Sequence, residues 1–399
     1  MIVPQGSGET PRDCDVGVIG GGGMGSATAY FLKELGGKQL KVSVFEPDPT
    51  YARAATALAA GGIRQQFSTP ENIRMSQFSY RFFEEIAEAL EVDGDAPSVG
   101  LTPRPYLRLS GAPGRAALLR DFDVQRQTGA GPAWLEGARL AERFPWMRTD
   151  DVAAAILGGP GEGMFDSWGM LQAFRRKNRS LGVCYHEAAV VGLDMDGGRV
   201  VALRLSDGAS VRCGAAVDAA GPSAGRIAEM AGIALPVEPM KAQSFAFRAD
   251  LPAAECPIVL DRVQGLQFKP EGELFVCAVA GGERPAHDGD FDPDPDLFEA
   301  AAWPRLAARV PQFERLRFVR TWVGHIELNT FDANPVLGLA PERPNLYFVA
   351  GFSGHGAQHA PAAGRAIAEL IVYGHYRSLN LARFGWERIL RGERVSEDA

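Results

Sequence analysis

The sequence predicts a mixed α/β protein that folds as two domains. Three observations predict this class: the chain has 399 residues, a strand, a glycine-rich turn and a helix follow one another near both ends, and the part between them is rich in short β-prone runs. A chain of this length exceeds the size at which a single hydrophobic core usually stops growing, so two cores are expected.

The first unit follows residues 1–14, a polar segment rich in Gly and Pro that we expect to be a flexible arm. Short apolar runs predict strands at 16–19 and 42–45, and residues 27–35 between them predict a helix. Strand, helix and strand in this order form a βαβ unit.

Beyond this unit the pattern alternates between helical and β-rich segments. Ser68 and Glu71 have capping-box spacing, and apolar residues then recur every three or four positions, which predicts a long amphipathic helix. Strand meanders are expected over 183–217, which returns to the first domain, and over 237–280. The segment 281–296 is so rich in Gly, Pro and Asp that a loop is expected there.

Composition excludes several classes of function. A formal net charge of −8 argues against nucleic acid as a partner, because such binding needs a surplus of Lys and Arg. The five cysteines are scattered without a CxxC pair, so neither a disulfide framework nor a metal site is expected. The sequence shows neither a long apolar run nor a signal peptide, so we expect no transmembrane segment and a cytoplasmic location.

The first predicted strand runs into a turn that matches the pattern G-x-G-x-x-G at Gly20, Gly22 and Gly25. Glycines at these places permit a tight turn, close approach of a pyrophosphate and close packing of the next helix, whose free N–H groups attract phosphate. Glu46 ends the second strand, where a carboxylate would bind a ribose hydroxyl. This context predicts a dinucleotide site, with a purely structural glycine turn as the alternative.

The choice between FAD and NAD depends on the other end of the chain. A predicted strand at 346–350 leads into a second glycine-rich turn, Gly351 to Gly356, and then into a helix over 361–373 that Gly374 stops. A simple NAD enzyme has no need of a second turn, whereas the long FAD molecule needs contacts at its isoalloxazine end. A helix N-terminus there would stabilise the negative charge that develops on reduction. The two turns together predict FAD.

Further segments resemble the D-amino-acid-oxidase-like superfamily of FAD-dependent oxidoreductases, which includes sarcosine and glycine oxidases. The segments that carry the resemblance are Gly61-Gly62-Ile63-Arg64-Gln65-Gln66-Phe67-Ser68, Phe144-Pro145-Trp146, Asn329-Thr330-Phe331-Asp332, and Gly351 to Gly356 with Ala360-Pro361. They are spread over nearly the whole chain.

The resemblance implies an α/β fold with an α+β substrate part. A Rossmann-like FAD-binding domain is expected to be assembled from 15–95, 150–235 and 320–390. A second, mainly antiparallel β-sheet substrate domain is expected to comprise 96–149 and 236–319.

The resemblance also implies, position by position, which residues contact FAD. The matching residues are Gly20, Gly22, Gly23, Met24, Gly25 and Glu46 at the ADP end, Ala60, Gly61, Gly62 and Arg64 beside the flavin, Val190 near the adenine, Ala220 and Gly221 near the pyrophosphate, and Gly324, Gly351, Gly354, His355, Gly356 and Gln358 at the isoalloxazine. The chain departs from the family at its two places of covalent attachment, because no cysteine lies near Gly324 and Leu58 replaces a histidine. Noncovalent FAD is therefore expected.

Substrate recognition must also differ from that in the relatives. Ile326 and Gln358 stand where glycine- and sarcosine-oxidising relatives carry a cation for the substrate carboxylate. The remaining candidates for this role are Arg64, which we rank first, His325 and Lys241. A surface salt bridge is the simpler reading of any single arginine.

Two more side chains complete the expected site. Tyr106 could contribute a hydroxyl from the covering sheet, although an ordinary core tyrosine is the simpler reading. His355 is expected mainly to shape the backbone of its turn.

The family's reaction is oxidation of a C–N bond in an amine or amino acid to an imine, with hydride transfer to flavin N5. The resemblance implies this reaction here, with N-alkyl amino acids or imino acids as favoured substrates and oxygen, an electron carrier or a quinone as acceptor. An alternative is a noncatalytic flavoprotein that acts as an assembly or binding factor, as a complex I assembly factor does. A nicotinamide-dependent dehydrogenase is disfavoured by the second turn.

Overall fold

The computed structural model describes residues 12–252, 254, 256–287, 289–395 and 397. Their strands are β1 Asp13–Ile19, β2 Val42–Phe45, β3 Gly62–Ile63, β4 Thr102–Pro103, β5 Tyr106–Ser110, β6 Ala133–Leu135, β7 Ala154–Leu157, β8 Gly163–Met164, β9 Cys184–His186, β10 Val190–Asp196, β11 Arg199–Leu205, β12 Ser210–Asp218, β13 Val237–Arg248, β14 Ile258–Asp261, β15 Leu266–Glu271, β16 Leu274–Val279, β17 Arg284–Pro285, β18 Arg317–Asn329, β19 Val336–Ala340 and β20 Arg343–Ala350. The α-helices are α1 Gly23–Gly36, α2 Ala55–Leu58, α3 Pro70–Glu84, α4 Ile86–Ala89, α5 Arg115–Gln127, α6 Ala138–Arg143, α7 Ser167–Ser180, α8 Ala224–Met230, α9 Trp303–Arg309, α10 Gly356–Tyr373 and α11 Glu387–Leu390.

The first sheet has a parallel centre. Its order is β10-β11-β12-β1-β2-β9, and β20 with its neighbour β19 joins it at β12. β12, β1, β2, β9 and β20 pair in parallel, whereas β10, β11 and β12 form an antiparallel meander. Because parallel strands end at the same edge, the segments after β1, β2, β12 and β20 meet there.

Helices α1 and α10 cross in close contact over this sheet. A Cβ atom on Gly364 of α10 would stand only 2.7 Å from the carbonyl carbon of Ala27 in α1. A glycine at this crossing lets the two backbones approach and brings the N-terminus of each helix to the same edge of the sheet.

The second sheet follows the order β17-β13-β16-β15-β14-β5-β7-β6, and β18 pairs with β13. Its described pairs are antiparallel except β14 with β5. One face packs on an aromatic core, in which Phe313 contacts Phe247, Phe268 and Phe275 at ring-centroid distances of 5.1, 5.5 and 5.3 Å. A small third sheet has the strand order β3-β8-β4.

The domain ranges expected from the sequence remain a proposal, but sheet membership differs from them at two strands. β7 lies within 150–235, and most of β18 lies within 320–390, and both ranges were expected to belong to the FAD-binding domain. Both strands nevertheless pair with strands of the second sheet. Of the expected arm 1–14, residues 1–11 lie outside the described residues, whereas Asp13 and Cys14 are already part of β1.

Two predicted helices begin or end differently. The capping box is wrong: the N-cap of α3 is Thr69, and the Ser68 hydroxyl donates to Glu397 Oε1 at 2.9 Å instead of capping the helix. The helix expected over 361–373 is α10, which begins earlier, at Gly356, and contains Pro361 within it.

Within the described part of the chain, none of the helices combines the length and the apolarity that a bilayer crossing needs.

Candidate functional site

A cavity of about 1060 Å³ opens at the edge of the first sheet where its parallel strands end. The segments after β1, β2, β12 and β20 line one part of it, and β13, β14, β15, β16 and β18 of the second sheet line another. Most residues expected to contact FAD line this cavity: Gly20, Gly22, Gly23, Met24, Glu46, Ala60, Gly61, Gly62, Arg64, Val190, Ala220, Gly221, Gly324, Gly354, His355, Gly356 and Gln358.

The first glycine turn is fixed by close backbone contacts. Gly20 has φ +99°, and a Cβ atom there would stand 2.4 Å from the carbonyl oxygen of Ala219. Gly25 was expected to contact FAD but does not line the cavity. A Cβ atom on Gly25 would stand 1.9 Å from the Gly20 carbonyl oxygen, so a glycine is needed here for α1 to pack on the turn. The N-terminus of α1 therefore lies at the cavity, where Gly23 and Met24 are lining residues.

Glu46 lines the cavity where the ADP part of the cofactor is expected. Its Oε2 accepts the Gly21 N–H at 2.9 Å and its Oε1 accepts the Asp48 N–H at 3.0 Å. Burial raises the pKa of this carboxyl, although both backbone N–H groups oppose the shift. The two hydrogen bonds fix the carboxylate at the end of β2, the position expected for a ribose-binding acid.

The second glycine turn is held by a buried carboxylate. Glu327 Oε2 accepts the Gly351 N–H at 3.0 Å, and the Glu327 carbonyl oxygen accepts the Ser353 N–H at 2.9 Å. Gly351, with φ +79°, is thus held at the end of β20 without lining the cavity itself. Burial raises the pKa of Glu327 to about 7.

The cavity has the shape of a cradle for a long dinucleotide. Cβ atoms on Gly221 and Gly354 would meet nothing within 4 Å, although both residues line the cavity, and on Gly22 the nearest atom would be Thr56 Oγ1 at 3.7 Å. Side chains at these glycines would project into the space between the two turns. A pyrophosphate at the N-terminus of α1 and an isoalloxazine at that of α10 fit this arrangement of residues.

Arg64 is a buried cation at the far end of the cavity. Its Nη1 donates to the Gln66 carbonyl oxygen at 2.8 Å, its Nη2 lies 2.7 Å from His355 Nε2, and its guanidinium lies over the Phe67 ring. Among the described residues, no carboxylate lies within ion-pair distance of it. Burial, then the charge of Arg108, lowers its pKa.

His355 is neutral in this arrangement. A guanidinium can only donate, so His355 Nε2 must accept the hydrogen bond from Arg64. Burial and then the Arg64 charge hold the pKa of His355 well below its ordinary value. The ring thereby orients Arg64, in addition to the expected shaping of its turn.

Tyr106 and Gln358 lie next to Arg64. The Tyr106 hydroxyl lies against Gly62, where a Cβ atom would stand only 2.0 Å from it. Gln358 Oε1 accepts the backbone N–H of Arg64 at 2.7 Å. The glutamine therefore connects the second glycine turn to the Arg64 segment.

His325 and Lys241 are both engaged by one loop. His325 Nε2 lies 2.7 Å from the Asp290 carbonyl oxygen, and its ring stacks on Phe291 at 4.1 Å. Lys241 Nζ pairs with Asp290 Oδ1 at 2.5 Å, and Lys241 does not line the large cavity. His325 does line it, but with the Nε2 hydrogen bond already made. Both side chains thus already have a partner in the loop, unlike the Arg64 guanidinium, which has no carboxylate at ion-pair distance among the described residues.

Four residues of the site were not found from the sequence. Glu327 and Glu162 hold backbone segments beside the cavity, Thr56 Oγ1 accepts the Gly23 N–H at 3.0 Å, and Arg262 lines the cavity. None belongs to a local motif, so only their positions in the folded chain identify them.

Comparison with known proteins decides the family. The model of the family described as DAO, FAD dependent oxidoreductase, matches residues 15–370. The chain belongs to this family. The expected resemblance is thereby confirmed, together with an oxidoreductase activity that depends on FAD.

Two relatives and one solved structure show how far the likeness extends. "FAD-dependent oxidoreductase domain-containing protein 1" of Xenopus laevis is 39% identical and the match covers 97% of this chain and 85% of that protein. "Glycine oxidase" of Geobacillus kaustophilus (strain HTA426) is 26% identical over 90% of this chain and 92% of that protein. L-proline dehydrogenase from P.horikoshii superposes with a TM-score of 0.85 at 26% identity, over 96% of this chain and 100% of that one. The expected fold class of this DAO-family chain is confirmed.

Proposed function

We propose that the protein oxidises the C–N bond of a carboxylated amine, an N-alkyl amino acid or imino acid, to an imine. The observation that carries the proposal is Arg64, a buried guanidinium at the cavity without a carboxylate at ion-pair distance among the described residues. The relatives named glycine oxidase and L-proline dehydrogenase act on small amino or imino acids of this kind.

The physical reason is charge compensation. A buried cation is costly unless an anion or several hydrogen bonds compensate it. A guanidinium has five N–H donors, and Arg64 uses one on the Gln66 carbonyl oxygen and one on His355. A substrate carboxylate would accept hydrogen bonds from the remaining guanidinium N–H groups and supply the negative charge that Arg64 lacks beside it.

In the reaction, the α-carbon of a neutral amine loses a hydride while the nitrogen lone pair forms the C=N bond, and water then hydrolyses the imine. Bound FAD would supply the two-electron acceptor for the hydride. Arg64 would bind the carboxylate, His355 would orient Arg64, and the Tyr106 side chain would shape the pocket beside Gly62. His355 accepts from Arg64 at Nε2, so it takes no proton at that atom.

FAD is proposed to bind noncovalently. None of the five cysteines lines the cavity, and Leu58 lines it at the place where some relatives carry a histidine. Denaturation and precipitation should leave the yellow colour in the supernatant. Colour that stays with the precipitate would contradict this part of the proposal.

The function is tested by anaerobic titration of the purified yellow protein with amines, N-alkyl amino acids and imino acids. Bleaching by carboxylated amines, with little bleaching by the corresponding esters, is the expected result. Bleaching by no member of a broad panel would refute the proposal and favour the noncatalytic assembly or binding role. Reoxidation of the bleached protein by oxygen, compared with reoxidation by a quinone, then identifies the acceptor; the acceptor and the cytoplasmic location remain predictions.

A further inference from the structure

Glu162 is a buried carboxylate that joins the two residues at the substrate end of the cavity without touching the cavity itself. Its Oε1 accepts the backbone N–H of Gln65 at 2.9 Å, and its Oε2 accepts the backbone N–H of Tyr106 at 2.8 Å. Only 2% of its surface is exposed, and it is absent from the cavity lining. Gln65 directly follows Arg64, so one carboxylate fixes the backbone at both Arg64 and Tyr106.

Neighbouring segments fix the backbone around Glu162 and leave space for its carboxylate. The Glu162 carbonyl oxygen accepts the Arg104 N–H at 3.0 Å, and Gln65 Nε2 donates to the Pro160 carbonyl oxygen at 2.8 Å. Gly158 leaves the room that the carboxylate fills, since a Cβ atom there would stand 1.6 Å from Glu162 Oε2. The backbone around Glu162 is thus hydrogen-bonded to the segments that contain its two partners, Gln65 and Tyr106.

The Glu162 carboxylate joins segments that belong to two different sheets, the third and the second. Arg64 and Gln65 follow β3, next to the turn at the flavin end, whereas Tyr106 begins β5 of the second sheet. A second link, from Gln66 Nε2 to the Tyr106 carbonyl oxygen at 2.8 Å, runs alongside. The separation of the Arg64 guanidinium and the Tyr106 ring therefore depends on the Glu162 carboxylate.

We propose that Glu162 is a positioning residue for anionic ligands: its two backbone hydrogen bonds set Arg64 and Tyr106 at the spacing that one carboxylate in the cavity requires. The inference rests on the proposed function, because that function assigns the substrate carboxylate to Arg64. Among the described residues no cation pairs with Glu162, so its role is geometric and its charge opposes the binding of a second anion.

The two effects of Glu162 predict opposite signs in Glu162→Gln. An amide has one acceptor oxygen, and its NH₂ group would face one of the two N–H donors, so one hydrogen bond is lost and the spacing changes. Removal of the negative charge alone would strengthen anion binding. A positioning role therefore predicts weaker binding of carboxylates, and a purely electrostatic role predicts tighter binding.

The test uses calorimetric titration of the FAD-loaded protein with furan-2-carboxylate and with its neutral analogue furan-2-carboxamide. Neither ligand has an oxidisable amine, so binding is measured apart from turnover. We expect Glu162→Gln to lower the affinity for the carboxylate by about tenfold or more, as the loss of one hydrogen bond to a charged group does, and the affinity for the amide by less than about threefold.

A second variant, Gly158→Ala, keeps the negative charge of Glu162 but displaces its carboxylate. Gly158→Ala places a methyl group against Glu162 Oε2 and should cause a similar selective loss, whereas an electrostatic role predicts none. The matched control is Glu369→Gln, because Glu369 is also buried and accepts two backbone N–H groups, of Arg377 and Ser378, but does not line the cavity.

Each outcome decides the question. An equal loss for both ligands, unchanged binding or tighter carboxylate binding in Glu162→Gln overturns the positioning role and leaves the proposed function intact. A wild-type protein that does not prefer the carboxylate to the amide overturns the proposed carboxylate site itself. If Glu162→Gln does not retain FAD, the selective loss in Gly158→Ala is the deciding measurement.

Discussion

Replacement of Arg64 by methionine should abolish most of the preference for carboxylated substrates. Methionine keeps much of the side-chain length and removes the charge. Two of the five guanidinium N–H donors are used within the protein, which leaves a fork for a substrate carboxylate. Removing one partner of a buried charge pair costs about 3–5 kcal/mol, which corresponds to a fall in kcat/KM of about 10²- to 10⁴-fold.

The assay is steady-state kinetics on a carboxylated amine and on its methyl ester, in wild-type protein and in Arg64→Met. The ester lacks the negative charge, so its kcat/KM should change by less than about tenfold, and the loss should appear mainly in KM if the carboxylate is bound equally in the ground and transition states. The FAD content of the variant serves as a control for folding. Equal losses for acid and ester would refute the assignment of Arg64 as the carboxylate-binding residue. They would mean that Arg64 supports the structure of the site without contacting the substrate carboxylate.

Three further predictions concern the fold that carries the site. Gly25→Ala should abolish FAD binding, measured by absorbance of the purified protein, because its Cβ would stand 1.9 Å from the Gly20 carbonyl oxygen; a fully yellow variant would contradict this. Arg309→Met should lower the free energy of unfolding by about 3–5 kcal/mol, seen in denaturant melts, because Arg309 Nε pairs with the buried Asp261 at 2.6 Å; an unchanged melt would show that the pair is dispensable. Burial lowers the pKa of His359 from 6.5 to about 3, so below pH 6.5 the unfolded chain binds a proton that the folded chain does not. His359 should therefore contribute a fall of about 1.4 kcal/mol per pH unit in the free energy of unfolding between pH 6.5 and about pH 3, and this contribution should be missing in His359→Gln; an identical slope in both proteins would refute it.

The two glycine turns were predictable from the sequence because their chemistry is local. Gly25 must lack a side chain because the Gly20 carbonyl oxygen, five residues earlier, occupies that space, and Gly20 and Gly351 adopt φ of +99° and +79° directly after their strands. Such requirements leave a pattern in the sequence itself. The family motifs, among them the segment that contains Arg64, added the reaction class.

The roles of the charged side chains were not predictable in the same way. Lys241 and His325 resembled Arg64 as candidates, yet both are engaged by Asp290, which is 49 residues from Lys241 and 35 from His325. The sequence does not say which cation has a carboxylate beside it. Only the folded chain leaves Arg64 without one at ion-pair distance among the described residues.

The sequence by itself determined the α/β class, the dinucleotide turn, the choice of FAD and the family, since these depend on short segments whose residues interact with their neighbours. The tertiary structure alone decided which cation is available to a substrate and which carboxylates hold the cavity in shape. Glu162 contacts Gln65 across 97 residues and Tyr106 across 56, and Gln358 contacts Arg64 across 294. Contacts over such separations form only when the sheets pack, because burial and charge compensation are properties of the folded chain and not of any local pattern.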